Sequence, residues 1–357
     1  MSAKGWWLFA AMAVLWGVPY LFISEAVSSF SPAAVVSGRT LVGALLLLPI
    51  ALRRKALRPA LRKWPWVLAF GAVEMGGPFF LLSHAEQTIP SGLTGLLVAT
   101  VPLWATIIGF VVGSHRDIRL LKIVGLLVGF GGVTVIVAGQ GLVVTDAASA
   151  LVAVSEVLLT AVLYAIAPFI IAAKLGDVPS LGSITLALFA IGIVYLPIAL
   201  LTQHEVPTVR STVALGALAV LCTAIAFIVF FALIAEVGPV TAPLFTYVNP
   251  FVAITLGIIV LGEQLTPGLL IGFPLVLLGC WLAATGGRAR RVRTAAVSGV
   301  EAAGTPDADI GVAVAPTDPA AVVPGAVVSE TVVPGAAPTE NTDSASHATR
   351  TDPRPRT

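Results

Sequence analysis

Ten apolar runs of about 20 residues follow one another between Trp6 and Thr285, and no soluble fold can accommodate them. A helix rises about 1.5 Å per residue, so about 20 apolar residues cross the roughly 30 Å hydrocarbon core of a bilayer. One such run fits inside a soluble core, but ten in succession would leave large apolar faces in water. A mean hydropathy of +1.00 and only 11% charged residues agree with lipid as the solvent. The runs fall near 6–23, 33–50, 66–83, 92–112, 120–138, 149–172, 181–201, 213–234, 241–261 and 268–285. The fold class expected is therefore an all-α polytopic membrane protein. Trp6–Ile23 is followed by Glu25 and another full span, with no small-residue cleavage site, so it is expected to remain in the membrane. Cys222 and Cys280 sit among apolar neighbours and read as packing residues rather than a disulfide or metal ligands.

Basic residues alternate between successive connections. With the N-terminus inside, 15 Lys and Arg fall in cytoplasmic segments and one, Arg210, falls outside, as the retention of positive charge on the cytoplasmic side requires. Both termini are then cytoplasmic, and a multi-pass protein of the cell membrane is expected. Residues 287–357 contain no Leu, Phe, Trp or Tyr. They cannot bury enough apolar area to offset the entropy of ordering, and are expected to be a disordered cytoplasmic tail.

Displacing the chain against itself by 148 residues brings Trp16 onto Tyr164 and Leu48-Pro49 onto Leu196-Pro197; it also brings Pro102, Ala105 and Gly109 onto Pro250, Ala253 and Gly257. A displacement of 147 brings Gly125 and Gly132 onto Gly272 and Gly279. Matches accumulating at one offset indicate duplication, with a first five-helix repeat over 1–140 and a second over 149–286. Because five is odd, the second repeat enters the bilayer in the opposite sense. Two inverted halves can exchange conformations and so turn a cavity from one face of the membrane to the other.

Gly125, Gly129 and Gly132 lie at i, i+4 and i+7 and form a small-residue stripe for close helix packing, as do Gly272 and Gly279. Pro102 and Pro250 fall near the middle of the fourth and ninth spans, where each frees a backbone carbonyl that lipid cannot satisfy. Those two helices are expected to bend and line a central cavity, with Asn249 offering an amide to substrate; plain kinks away from any ligand are the alternative.

Ionisable groups within the spans are few. Glu74 lies in the middle of the third, between Phe70-Gly71 and Gly76-Gly77-Pro78, where small neighbours leave room for water or ligand. It reads as a proton-coupling site or substrate counter-ion, or else as a buried protonated acid tied to a neighbour. Arg39, in the second span, can pair with Glu74 or Glu25, hold a carboxylate or phosphate, or lock helices. Trp16 and Tyr164 are candidates for aromatic cavity walls, as against packing. Glu156 lies in the sixth span, and His84 and Glu86, at the end of the third, are expected to be solvated.

These residues resemble the EamA family of the drug/metabolite transporter superfamily over about 6–286. The likeness is carried by Leu15-Trp16-Gly17, Arg39, Pro102, Asn249-Pro250, Leu261-Gly262-Glu263-Gln264-Leu265-Thr266-Pro267, Gly272 and Gly279, in this order within a ten-span duplicated layout. The chain departs from the family pattern at Gly113-Ser114-His115-Arg116-Asp117, where the second half has Gly-Glu, and the second half lacks the Trp-Gly pair and the Arg. The resemblance implies a monomer or homodimer in the plasma membrane. It also implies efflux of amino acids, metabolites or toxic compounds, usually coupled to protons. Glu263 reads as a loop tie or helix cap.

A small-molecule substrate, protons and the lipid bilayer are therefore the expected partners, with no nucleic acid, no cofactor and no metal. A channel would need a permanent polar pore, and no ring of acids or carbonyl-rich filter is visible. A membrane-embedded enzyme would need a nucleophile beside a base, or clustered metal ligands, and the sequence shows neither.

Overall fold

The computed structural model describes residues 1–112, 120–140, 147–238 and 241–285. The Gly113–Asp117 segment and the tail expected over 287–357 lie outside the described residues. Ten helices are long and apolar enough to cross a bilayer, and we number them α1 (Ala3–Ala26), α2 (Pro32–Arg53), α3 (Trp64–Ala85), α4 (Ser91–Val111), α5 (Leu120–Gly139), α6 (Ala148–Leu175), α7 (Ser180–Thr202), α8 (Val209–Val237), α9 (Ala242–Leu261) and α10 (Pro267–Ala284). No strand occurs among the described residues. With ten crossings, the start of α1 and the end of α10 share one face of the bundle, the terminal face; the α1–α2, α3–α4, α7–α8 and α9–α10 links share the far face.

The helices pair as a duplicated chain should. α5 packs along α10 and α2 along α7, each with its own repeat counterpart. α1 lies against α8 and α9, and α6 lies against α3 and α4; α2 touches α8 as α7 touches α3. Exchanging the two sets of five helices leaves these pairings unchanged. That is the signature of a two-fold relation, and an odd number of crossings in each half turns its axis into the membrane plane.

Glycine sets the closest approach. A Cβ on Gly125 would lie 2.5 Å from the Ala283 nitrogen, and one on Gly132 would lie 2.8 Å from the Val276 nitrogen. A Cβ on Gly272 would meet the Gly132 oxygen at 2.7 Å, and one on Gly279 would meet the Gly129 nitrogen at 2.3 Å. Apolar side chains gain little from burial away from lipid that is itself apolar, so helices in a membrane associate through such backbone-to-backbone fit. The α5–α10 pair is a rigid post beside the bundle, and Gly129 also receives Leu103 of α4, whose Cδ1 lies 2.5 Å from where its Cβ would stand.

Three spans are interrupted at mid-depth, and two more carry a change of helix type there. α1 is helical over Ala3–Leu15 and again over Pro19–Ala26, α4 over Ser91–Val98 and Val101–Val111. α9 starts with a 3-10 stretch, Ala242–Tyr247, before its α-helix Asn249–Leu261. Pro19, Pro102 and Pro250 each sit in the first turn of the segment after the break, where a missing N–H costs nothing. Pro102 and Pro250 therefore restart helices rather than bend continuous ones, which sharpens the expectation drawn from the sequence. α3 and α8 carry turns of π-helix, Ala72–Gly76 and Val220–Ile225, which begin 148 residues apart and are therefore repeat equivalents.

Candidate functional site

All of these irregularities face one place. A cavity of about 150 Å³ lies between the halves. Pro19 and Tyr20 of α1, Val98 and Pro102 of α4, and Thr246 and Pro250 of α9 line it at the interruptions. Glu74 and Met75 come from one π turn, Cys222 and Thr223 from the other. The extra residue of a π turn breaks the regular ladder and re-aims side chains, which is why such turns gather at functional sites. Pro102 and Pro250 cannot donate to the carbonyls of Val98 and Thr246, and both of those residues are on the cavity wall, where water or a solute can take up the freed oxygens.

The residues singled out from sequence come together here: Trp16, Arg39, Glu74, Pro102, Tyr164, Asn249 and Pro250 all line this cavity. Gly125, Gly129, Gly132, Gly272 and Gly279 stand apart from it, in the α5–α10 contact and beside Leu103.

Arg39 is 6% exposed. Its Nε donates to Thr223 Oγ1 at 3.2 Å, and its Cζ lies 3.7 Å from the centre of the Phe79 ring. The Thr223 hydroxyl in turn donates to the Leu218 carbonyl at 2.9 Å, five residues back, and so stabilises the π turn of α8. No carboxylate among the described residues pairs with Arg39. Glu25, a partner open to it on sequence grounds, is bound by Arg210 at the far face, and Glu74 is not within ion-pairing distance. The guanidinium is thus oriented by a hydroxyl and an aromatic face while its charge remains uncompensated.

Glu74 is on the wall with one buried oxygen, Oε2, that meets no hydrogen-bond donor. Tyr195 of α7 donates to the Gly76 carbonyl at 3.0 Å and supports the π turn that presents the acid. Trp16 stands within 5.0 to 5.8 Å, centre to centre, of the Phe230, Phe245 and Phe227 rings, an aromatic cluster between the cavity and the terminal face. Tyr164 faces the cavity from α6 and packs with Val98, Val101 and Trp104. The Asn249 amide is oriented with its nitrogen toward two carbonyls and donates to Ala13 and Phe245, 3.2 Å each. Its nitrogen therefore ties α1 to α9, and only its carbonyl oxygen is left for a ligand.

Two readings from sequence need correction. Cys222 is a cavity residue rather than simple packing, whereas Cys280 is buried and its Sγ donates to the Ala99 carbonyl at 3.2 Å. Glu86 is not solvated: it is 6% exposed and neither carboxylate oxygen meets a donor. Burial first, and then the neighbouring Glu263 carboxylate, push its pKa well above the usual carboxylate range, against weaker opposing pulls from the Ser24 amide and Arg39. Glu156, noted within the sixth span, has its Oε2 2.9 Å from Nδ1 of the exposed His84.

Both faces are tied between halves. At the terminal face Glu236 of α8 takes Lys4 Nζ at 3.2 Å and the Ser2 hydroxyl at 2.5 Å. Lys63 contacts Asp177 at 2.5 Å and lowers the acid's pKa, chiefly through that hydrogen bond. At the far face Glu263, from the α9–α10 link, accepts from the Ser91 amide (2.6 Å), the Ser91 hydroxyl (2.7 Å) and the Gly92 amide (3.0 Å). It caps the N-terminus of α4, where free N–H groups and the helix dipole favour a carboxylate, and it does so from the other repeat.

Comparison with known proteins agrees with this architecture. The chain is 26% identical over 260 residues to the inner membrane transporter YedA of Escherichia coli (strain K12), covering 72% of this chain and 82% of that one. It is 27% identical over 290 residues to the transporter YvbV of Bacillus subtilis (strain 168), covering 80% and 92%. With a protein of Streptantibioticus cattleyicolor described as a probable terminal-alkyne amino-acid exporter it shares 26% identity over 283 residues, 78% of this chain and 93% of that one. A crystal structure 19% identical in sequence superposes with a TM-score of 0.57, covering 82% of this chain and 99% of that chain, and shows the fold. The model of the EamA-like transporter family matches residues 3–138 and again 151–285. The chain is therefore a multi-pass membrane transporter of the EamA family, within the drug/metabolite transporter superfamily.

Proposed function

We propose that this protein is a secondary active carrier that exports a small carboxylate-bearing metabolite, of amino-acid size, in exchange for protons. The observation that carries the reading is Arg39, a buried cation on the cavity wall with no carboxylate within ion-pairing distance among the described residues. Burying an unpaired charge costs several kcal/mol, and a substrate carboxylate received by the guanidinium fork recovers much of it. The aromatic walls of Trp16, Phe79 and Tyr164 favour a solute with an apolar body. A cavity of about 150 Å³ has the size of one that holds benzene, so solutes of roughly six heavy atoms, the size of a small amino acid, fit. The exporter named from Streptantibioticus cattleyicolor supports an amino acid as cargo.

Glu74 supplies the coupling. A carboxyl in a cavity that opens alternately to two sides meets different proton activities and can carry a proton one way while solute moves the other. Because 15 Lys and Arg lie in segments of the terminal face against one at the far face, we take the terminal face, with both termini, as cytoplasmic.

Counterflow in proteoliposomes tests this. Vesicles preloaded with unlabelled amino and carboxylic acids should take up labelled solute saturably, and Arg39→Gln should abolish the exchange while Arg39→Lys retains part of it. Glu74→Gln should leave counterflow intact and remove acceleration by a proton gradient. Unsaturable flux would indicate a pore, and full exchange in Arg39→Gln would refute the carboxylate site.

A further inference from the structure

Glu86 is not used by the carrier reading, yet its placement is specific. Met75, Phe79 and Leu82 of α3 line the cavity, and Glu86 follows them at the spacing that continues the same helical stripe, i, i+4, i+7 and i+11. It lies one step beyond those wall residues toward the far face, just past the last turn of α3. It is sealed there with two carboxylate oxygens and no donor for either. The groups that face it are few. Tyr20 and the Ser24 amide approach from α1, Arg39 from α2, and Glu263 from the α9–α10 link. His84 is paired with Glu156 of α6, and Glu25 with Arg210 of α8, so neither is available to it.

Glu263 accepts three hydrogen bonds, two of them from backbone amides at the start of α4, a role that suits an ionised carboxylate. A second ionised carboxylate near it, buried, would carry both a desolvation cost and a like-charge repulsion, which outweigh the opposing pulls of the Ser24 amide and Arg39. The packed far face is therefore compatible with Glu86 only as the neutral acid. Ionised Glu86 needs water, and water reaches this buried position only when the packing of the far face around the end of α3 opens.

We propose that Glu86 is a proton-binding site that governs closure of the far face: a proton taken up there from the external solution permits α3, α4 and the α9–α10 link to seal over the cavity, and its loss holds them apart. The step is a simple protonation, carboxylate plus hydronium giving carboxylic acid plus water. The proposal rests on the alternating-access reading of the cavity, but it concerns a gate distinct from Glu74, which carries the coupling in that reading. The repeat equivalent of Glu86 is Ile234, a buried apolar residue near the terminal face, so the terminal-face gate lacks this acid.

Cys222, on the cavity wall, reports opening without any knowledge of substrate. In the full chain carrying Cys280→Ser, a membrane-impermeant methanethiosulfonate is applied to right-side-out vesicles, and its rate at Cys222 is divided by the rate for unfolded protein at the same pH, which removes the thiol's own titration. Between about pH 5 and pH 8 the parental rate should rise several-fold, with a limit of about tenfold per pH unit for one proton. Glu86→Gln, a close match to the protonated acid, should label slowly and without pH dependence, while Glu86→Asp keeps the dependence. A Glu86→Gln profile that follows the parent, or a flat parental profile, would overturn the proposal. If instead labelling switches as described while no solute is driven by a proton gradient, the coupling role of Glu74 fails and the gate stands.

Discussion

Replacing Gly279 by alanine adds one methyl group at the tightest point between α5 and α10. The new Cβ would stand 2.3 Å from the Gly129 nitrogen, 2.4 Å from its Cα and 2.7 Å from the Gly125 oxygen, where ordinary contact begins at 3.4 Å. All three are backbone atoms of a helix, so no side chain can rotate out of the way, and the helices must part by about 1 Å. A gap of that size forfeits about a quarter to a half of the dispersion well for each contact around it. Overpacking of this kind costs about 1–3 kcal/mol, and the rigidity of both partners places Gly279→Ala at the upper end. Gly131 is the internal control: it lies in the same helix as Gly129, and a Cβ there would meet nothing within 4 Å. Gly131→Ala should stabilise by about 0.5–1 kcal/mol through reduced backbone entropy. At about 2 °C per kcal/mol, the two variants should bracket the parent with a separation of roughly 6–8 °C in the unfolding midpoint in detergent, followed by tryptophan fluorescence. Equal midpoints would refute the claim that backbone contact, rather than general apolarity, holds this pair.

Glu263→Ala should cost about 1–3 kcal/mol, because the Ser91 and Gly92 amides at the start of α4 lose a charged acceptor; Glu263→Gln should cost less, and thermal unfolding of the two distinguishes a cap from a mere loop contact. Pro102→Ala and Pro250→Ala should each slow counterflow without lowering solute affinity, since a returned N–H lets the broken helix close its ladder and stiffens the wall; unchanged turnover would make the prolines simple kinks. Glu236→Gln and Glu156→Gln loosen opposite faces. An ion pair of this exposure is worth about 0–1 kcal/mol, so each should change labelling of Cys222 from its own face by up to about fivefold, with opposite sidedness.

The sequence made the scaffold legible because lipid imposes a length and a composition on every span, and because duplication leaves matched prolines and glycines. It made the cavity legible to the extent that ionisable or helix-breaking residues in a membrane need a reason to be there. The fate of individual polar groups was not legible. Asn249 looks free in sequence, but its nitrogen is consumed by the Ala13 and Phe245 carbonyls, the first of them a contact between α1 and α9 that no local pattern announces. Glu86, beside His84 at a helix end, looks solvated, yet it is buried by tertiary packing that is equally silent in the local sequence. The break in α1 had a local signal, Gly17-Val18-Pro19. The π turns had none beyond their equivalence across the repeat, because a π turn is a choice of hydrogen-bond register that composition does not encode.

The duplicated scaffold carries chemistry that is not duplicated. Across the 148-residue offset Arg39 corresponds to Ala187, Glu74 to Cys222, and Glu86 to Ile234, while the π turns of α3 and α8 and the Pro102–Pro250 pair are matched, and at 147 Gly125 and Gly132 match Gly272 and Gly279. Two equal halves provide two conformations of similar energy, which exchange requires, since a carrier strongly biased to one side would need large differential binding to turn over. Were the acids and the arginine duplicated as well, the cavity would hold two equivalent cations and two equivalent acids, and a single carboxylate would have no unique seat. Placing them in one half gives a single site on a symmetric hinge, so substrate and proton act on the same equilibrium from fixed and different positions. The symmetry thus belongs to the motion and the asymmetry to recognition.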